Sequence, residues 1–166
     1  FKGRGSELGA YAILTEPVVY REGMPVLPSN WPELMRSIIK HIRRNDPKRF
    51  IAISPGPGGL PIGYTQMNLV QDAFIIYNAH MYVPHQFTHQ GIGDFQRGYE
   101  YPGRINFKYW DKKSLEEYLT PLLAFQKKYR VPVIIGEFSA VRWATGSNQF
   151  VKDLIDIFDK SGWGWT

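Results

Sequence analysis

The sequence predicts an α/β fold with about five parallel strands and three helices, and three observations carry that prediction. Short apolar runs alternate with segments whose apolar residues recur at helical spacing. The runs are apolar at consecutive positions, as in parallel strands covered on both faces, rather than alternating apolar and polar as in a half-solvated antiparallel strand. Polar residues collect just past the C-terminal end of each run, which is the ligand-binding edge of parallel α/β sheets.

Each element has its own signal. LGAYAIL (8–14) reads as a buried strand that stops at Thr15-Glu16-Pro17. Asn30 reads as the cap of a helix with Pro32 and Glu33 in its first turn. Leu34, Met35, Ile38, Ile39 and Ile42 line one face of that helix, which should end before Asp46-Pro47. Phe50 to Ser54 is a second strand, and Pro55 to Gly63 a Pro/Gly loop without regular structure. Ala73 to Tyr82 is a third strand, followed by a long loop to about Lys108. Ser114-Leu115-Glu116-Glu117 has the form of a capping box, opening a helix that carries Leu115, Tyr118, Leu119, Leu122, Leu123 and Phe125, with a kink expected at Pro121. Val131 to Phe138 is the fourth strand. Ser147 or Asn148 caps a third helix, closed by Gly162, and Trp163 to Thr166 begins a fifth strand. With no repeats and no low-complexity linker, residues 1–166 read as one domain.

Composition narrows the function. A chain of 166 residues with 43% hydrophobic, 15% aromatic and 21% charged residues can build a core and is not of the disordered class. Zero Cys excludes disulfide scaffolds, thiolate metal sites and a Cys nucleophile. No apolar run approaches the roughly 18 residues of a membrane span. The net charge of +5 raises nucleic acid as a partner, but the cluster Lys40, Arg43, Arg44, Lys48 and Arg49 reads better as the solvated end of a helix.

The polar residues at the strand ends are Thr15 with Glu16, Ser54, His80 with Tyr82, and Glu137 with Ser139. Glu16 and Glu137 lie on different strands, each after an apolar run, where an unpaired carboxylate is costly. The bland readings are a buried ion pair for Glu137, a strand-end turn for Glu16 and a satisfied core histidine for His80. Taken together, paired carboxylates in a cleft rich in Tyr and Trp suit glycoside hydrolysis, in which one protonates the departing oxygen and the other attacks the anomeric carbon. His85 and His89 are spaced i, i+4, so that with His80 three histidines could hold zinc. No carboxylate completes such a motif, and no metal or cofactor is expected. Pro55-Gly56-Pro57-Gly58-Gly59 lacks the Lys-Ser/Thr of a phosphate loop and reads as a tight strand-to-helix connection.

Four segments carry a resemblance to a known family: AYAILTEP (10–17), NAHMYVPHQFTHQG (78–91), VPVIIGEFSAVRWA (131–144) and DIFDKSGWGWT (156–166). In this order they resemble the family 5 glycoside hydrolases, the cellulases of the retaining β/α-barrel clan. The resemblance implies Glu16 as general acid/base after strand four of the barrel, His80 and Tyr82 after strand six, and Glu137 as nucleophile after strand seven. It implies that His80 and Tyr82 bind the sugar at the cleavage point, with the Tyr82 hydroxyl also holding the nucleophile, and makes Trp143 a candidate sugar platform. The family places Asn before its acid/base, where this chain has Thr15.

A complete barrel takes roughly 250 residues and eight strands. The matched segments correspond to strands four to eight, so the expectation is a half β/α barrel acting on β-1,4-glucan as an endoglucanase, secreted or periplasmic. The alternative is a carbohydrate-binding form that turns over little or nothing. Five parallel strands cannot close, so a homo-oligomer covering the open side is also expected, with Ile13, Ile51, Ile53, Ile76, Ile134 and Phe138 available to the uncovered inner faces.

Overall fold

In the computed structural model, residues 8–166 are described; residues 1–7 of the expected single domain lie outside the described residues. In chain order the elements are β1 (Ala10–Ile13), β2 (Val19–Arg21), β3 (Met24–Val26), α1 (Trp31–Asn45), β4 (Phe50–Ile53), a 3₁₀ turn (Pro61–Thr65), β5 (Ile75–Met81), α2 (His85–Thr88), β6 (Gly103–Ile105), β7 (Lys108–Trp110), α3 (Lys112–Tyr129), β8 (Val133–Phe138), α4 (Ser147–Ser161) and β9 (Gly164–Trp165). The five expected strands form one parallel sheet in the order β1-β4-β5-β8-β9. Sequential neighbours pair because each strand returns through a connection that crosses one face.

That crossing decides which residues are dry. Ile51, Ile53, Tyr77, Ala79, Met81 and Ile135 are almost fully buried on the helix-covered face. Tyr77 meets Phe125 of α3 with ring centroids 4.9 Å apart, and Phe138 meets Phe158 of α4 edge-on at 5.1 Å. The side chains of α1, α3 and α4 that complete this core are Met35, Ile39, Leu115, Leu119, Leu122, Leu154 and Ile157. Each such burial is worth about 1.5–3 kcal/mol, and the cluster holds the sheet rigid beneath the strand ends. The opposite face carries Ala12, Ala52, Ile76 and Ile134, which are only half-buried or exposed. Of the six residues expected on that inner face, Ile76 and Ile134 are there. Ile13, Ile51, Ile53 and Phe138 turn to the helices, because the two-residue period of each strand runs the other way.

Several local expectations are corrected. The helix α3 starts one turn before the expected capping box: Asp111 is its cap, accepting the Ser114 N–H at 2.9 Å, while the Ser114 hydroxyl donates to the Tyr109 carbonyl. The short acid outcompetes the later Ser because it sits where the first free N–H groups point. Pro121 lies inside α3, as the sequence reading has it. Gly146, not Ser147 or Asn148, is the N-cap of α4, while Gly162 closes it in a left-handed conformation as expected. Asn30 does precede α1 but makes no side-chain cap bond. The stretch 55–63 is not wholly irregular, since the 3₁₀ turn begins at Pro61. The long loop after β5 contains α2 and the β6–β7 hairpin, and the β2–β3 hairpin follows β1. These two- and three-residue pairings are too short to leave a periodic signal in sequence.

The basic cluster is not simply a solvated helix end. Arg43 reaches across the base of the sheet, bonding both Asp72 carboxyl oxygens at 2.6 and 3.0 Å and the carbonyls of Asp46, Arg49 and Phe74. Arg49 pairs with Asp46 at 3.1 Å and donates to the Leu8 carbonyl. Lys40, Arg44 and Lys48 are the exposed members. The bidentate bond from Arg43 holds the Asp72 carboxyl below its ordinary range, against the effect of burial. Because the native value is the lower one, this stabilisation is complete above the unfolded value of 3.8 and is lost as pH falls through the native one. Asp72→Asn should therefore lower unfolding stability by about 1.5–3 kcal/mol at neutral pH. In urea unfolding at stepped pH, the gap between wild type and variant should close as pH falls below 3.8.

Candidate active site

Four connections bring the expected polar residues to one place. At the end of β1, Leu14 takes a positive φ of 44° and turns the chain so that Glu16 comes back over the sheet edge. The Glu16 Oε1 atom lies 2.8 Å from Nδ1 of His80. His80 points inward from β5, two residues after Asn78, and only 2% of its side chain is exposed. The loop after β4 seats it from above: the Gly59 carbonyl accepts the His80 N–H at 3.0 Å, and Gly58 donates to the Pro17 carbonyl, tying this loop to the segment that carries Glu16. Gly59 has a φ of +70°, and a Cβ there would stand 3.3 Å from the imidazole, so both backbone shape and space require glycine.

Glu137 reaches the site through a break in register. Tyr77, Asn78 and Ala79 face Val133, Ile134 and Ile135, but His80 then faces Glu137, with a shift between Ala79 and His80. Strict alternation would send Glu137 to the helix side with Val133 and Ile135. The extra residue, Gly136, turns it inward beside His80, as a bulge does. Phe138 thereby falls on the helix side.

The resulting geometry is close. The Tyr82 hydroxyl donates to Glu137 Oε2 at 3.2 Å, and His80 Nδ1 is 3.7 Å from the same oxygen. One ligating atom each from Glu16, His80 and Glu137 lies within 4.8 Å of the others. Both carboxyl groups keep access to solvent, 46% for Glu16 and 40% for Glu137, above the buried imidazole. Burial pushes the Tyr82 hydroxyl up from its ordinary value; the Glu137 charge and hydrogen bond and the more distant Glu16 charge add to the rise, while a Ser139 hydrogen bond opposes it. Tyr82 is therefore a proton donor to Glu137 across the neutral range. Thr15 is exposed beside Glu16, and among the described residues its hydroxyl has no hydrogen-bond partner. Ser54 is buried beneath the site, where its Oγ accepts from Asn78 Nδ2 at 2.9 Å.

The three histidines do not converge. His80 joins the two carboxylates, while His85 and His89 stack near each other with ring centroids 5.5 Å apart, His89 packing on Tyr82 at 5.4 Å. Burial and the neighbouring His89 pull the His85 imidazole below its ordinary value, against the attraction of Glu16. One His and two carboxylates with an atom each within 4.8 Å of the others could ligate a cation. Trp143 stands at the rim, 47% exposed, with its indole N–H on the Gln90 carbonyl at 2.8 Å and the Arg97 guanidinium 5.2 Å from its ring centre. Gln90 itself carries no titratable chemistry and is not singled out by the sequence beyond its place in the FTHQG segment. It is buried and spans the loop, accepting from Gly98 and Tyr99 and donating to the carbonyls of Phe87 and Tyr99. A cavity of about 540 Å³ lies elsewhere, between α1 and residues 66–72; its walls include Met35, Ile39, Met67 and Leu69 but neither glutamate.

A parallel α/β sheet with two carboxylates, a buried His and a Tyr at its C-terminal edge defines a protein of the β/α-barrel type with a carboxylate-pair site. The chain belongs to the cellulases of glycosyl hydrolase family 5, whose family model matches residues 10–166. It is similar to Endoglucanase C of Acetivibrio thermocellus and Endoglucanase C307 of Clostridium sp. strain F1, each 27% identical over 82% of this chain and 49% of the relative. Among solved structures it resembles Thermotoga maritima Cel5A in complex with cellobiose, with a TM-score of 0.77 and 26% identity over 94% of this chain and 50% of that one. The cellulose synthase subunit Z of Clostridioides difficile, at 23% identity and a TM-score of 0.71, shares the fold. The chain spans about half the length of the relatives it matches.

The environment of Tyr82 makes a direct prediction. In near-ultraviolet titration, the difference between wild type and Tyr82→Phe should be a single tyrosinate that forms above pH 10.0, later than an unperturbed tyrosine.

Proposed function

We propose that this site hydrolyses β-1,4-glucan as an endoglucanase, with retention of anomeric configuration. The observation that supports this most is the convergence of Glu16 and Glu137 to within 4.8 Å. Carboxyl oxygens brought this near one another are in keeping with a retaining pair, whose carboxyl groups stand about 5–5.5 Å apart, rather than with an inverting pair at about 6.5–9.5 Å. In the first step the Glu137 carboxylate attacks the anomeric carbon. The bond to the glycosidic oxygen breaks, and Glu16 gives its proton to that oxygen. The product is a glycosyl ester on Glu137 and a released sugar chain. In the second step Glu16, now a carboxylate, takes a proton from water as the water oxygen attacks the same carbon. The ester bond to Glu137 breaks, and both residues return to their starting states.

The hydrogen bonds support this division of roles. Glu137 receives the Tyr82 hydroxyl, which orients its carboxylate for attack. Glu16 is the more exposed of the two and contacts His80. Thr15 stands where the family's Asn would hold the sugar 2-hydroxyl, and Trp143 offers an aromatic face at the rim with Arg97 against it. His80 and Tyr82 line the cleavage point. The substrate implies an extracellular or periplasmic setting, and among the described residues no helix is long and apolar enough to cross a membrane. For the half-exposed inner face around Ile76 and Ile134, the partner we propose is a second copy of the chain. Light scattering should give twice the chain mass, and a monomer at high concentration would overturn that assignment.

The test of function is reducing-end release from soluble β-glucan, with the first-formed anomer followed by NMR. The expected product is the β-anomer. Glu137→Gln should abolish turnover, and Glu16→Gln should reduce it by about 10²–10⁴-fold. Release of the α-anomer would overturn the retaining pair. The Thr15 substitution favours one second reading, a binding protein of weak activity. Thr15→Asn should then raise turnover while leaving glucan binding in place. An unchanged rate with unchanged binding would remove Thr15 from the subsite.

A further inference from the structure

We propose that Asn78 is a positioning residue that fixes His80 in the tautomer carrying its proton on Nδ1, aimed at Glu16. Asn78 and His80 alternate along the inner face of β5, and both are buried, at 8% and 2% exposure. The Asn78 amide nitrogen lies 2.9 Å from Ser54 Oγ and 3.2 Å from His80 Nε2. An amide nitrogen only donates, so its two hydrogens go to the Ser54 hydroxyl oxygen and to the lone pair of Nε2. A ring nitrogen that accepts carries no hydrogen. The ring proton is therefore on Nδ1, which faces Glu16 Oε1 at 2.8 Å. The direction of donation runs from Asn78 to His80 to Glu16.

With the amide as it stands, the other protonation states of the ring fail on the same contacts. If Nε2 held the single proton, an N–H would face the amide N–H₂, and the Nδ1 lone pair would face the Glu16 carboxylate. If both ring nitrogens were protonated, the Nε2 clash would remain. Turned over, the amide would accept at its oxygen from the Ser54 hydroxyl and a protonated Nε2 and would turn its N–H₂ against Gly136; that is the orientation the proposal excludes. The observed orientation has a cost of its own: Asn78 Oδ1 is the buried side-chain atom without a hydrogen-bond partner among the described residues. It lies against Gly136, where a Cβ would come within 2.4 Å of it. A buried carbonyl left unpaired is expensive, and here it is retained in the arrangement that presents a donor to His80. The residue that shifts Glu137 into register is thus also the one whose missing side chain makes room for this amide.

The consequence for chemistry is that His80 always offers Glu16 a donor at Oε1. The proton that Glu16 delivers then sits on its other oxygen, Oε2, facing the cleft. This last step rests on the glycosidase reading above; the tautomer does not.

The experiment is ¹⁵N NMR of imidazole-labelled protein, with the His80 signals assigned by their loss in His80→Gln. Wild type should show a protonated Nδ1 and an unprotonated Nε2. Asn78→Asp keeps the shape but replaces the donor with an acceptor, so the Nε2 signal should become that of a protonated nitrogen. In turnover of soluble glucan, kcat of this variant should fall by about 10²-fold, the loss expected for a misplaced catalytic group, with KM little changed. Ser54→Ala is the second variant, for use if Asn78→Asp does not fold. It leaves the amide free to turn and should give Nε2 a shift averaged between the two forms. An Nε2–H tautomer in wild type, or the wild-type pattern kept in whichever of the two variants folds, would overturn the proposal. A purely structural Asn78 would lower stability without moving the tautomer. Should wild type not act on glucan, the resonances still decide the role of Asn78.

Discussion

A one-residue slip between two parallel strands sets the rest of the site. Up to Ala79, β5 and β8 run in ordinary register, and their dry side chains face the helices. From His80 onward the pairing is offset. An apolar strand delivers its final carboxylate to whichever face the two-residue period dictates, and without the offset Glu137 would point into the packing between sheet and helices. A charge there would be unpaired and dry, at a cost no neighbouring group offsets. The bulge exchanges one ladder position for a carboxylate beside His80 and Tyr82. Its position at Gly136 also lets the Asn78 amide lie flat against the strand.

His80 is the second fixed point. Its ring touches both carboxylates, its backbone N–H is held by Gly59, and its far nitrogen is held by Asn78. Each contact comes from a different connection, so the imidazole links the loop after β1, the loop after β4 and the two central strands. The walls of the cleft are organised separately. Thr88 donates to the Tyr82 carbonyl at 2.6 Å, its own carbonyl receives Val141, and Gln90 gathers the segment from Phe87 to Tyr99 beneath Trp143. Little of this wall is regular structure. Its order rests on buried side-chain amides and hydroxyls whose hydrogen bonds are satisfied within the loop.

Charge does different work at the two ends of the sheet. At the N-terminal end, Arg43 and Arg49 are consumed in holding carbonyls and carboxylates of neighbouring connections, which removes two members of the basic cluster from any external role. At the C-terminal end the carboxylates are accessible and receive only partial compensation. The same division, stabilising contacts at one end and chemistry at the other, is general to parallel barrels.

The sequence alone determined the strands, the long helices and the edge on which polar residues gather, because burial imposes a periodicity that each segment carries within itself. Glu16, His80, Tyr82 and Glu137 were legible as candidates for the same reason: each polar group ends an apolar run, and a short motif surrounds it. Helix starts were less legible. Asp111 and Gly146 displaced the expected caps because the choice among nearby Asp, Ser and Gly depends on where the incoming chain turns. The tertiary structure decided what lies between segments. Which face Glu137 takes depends on pairing with β5, not on β8 itself. Arg43 could be read as a surface charge until Asp72 was brought against it from 29 positions along the chain. Ser54 was legible only as a polar residue at a strand end and Asn78 only as the first residue of a motif, since a buried hydroxyl and amide acquire their role from the His80 nitrogen that the neighbouring strands set beside them.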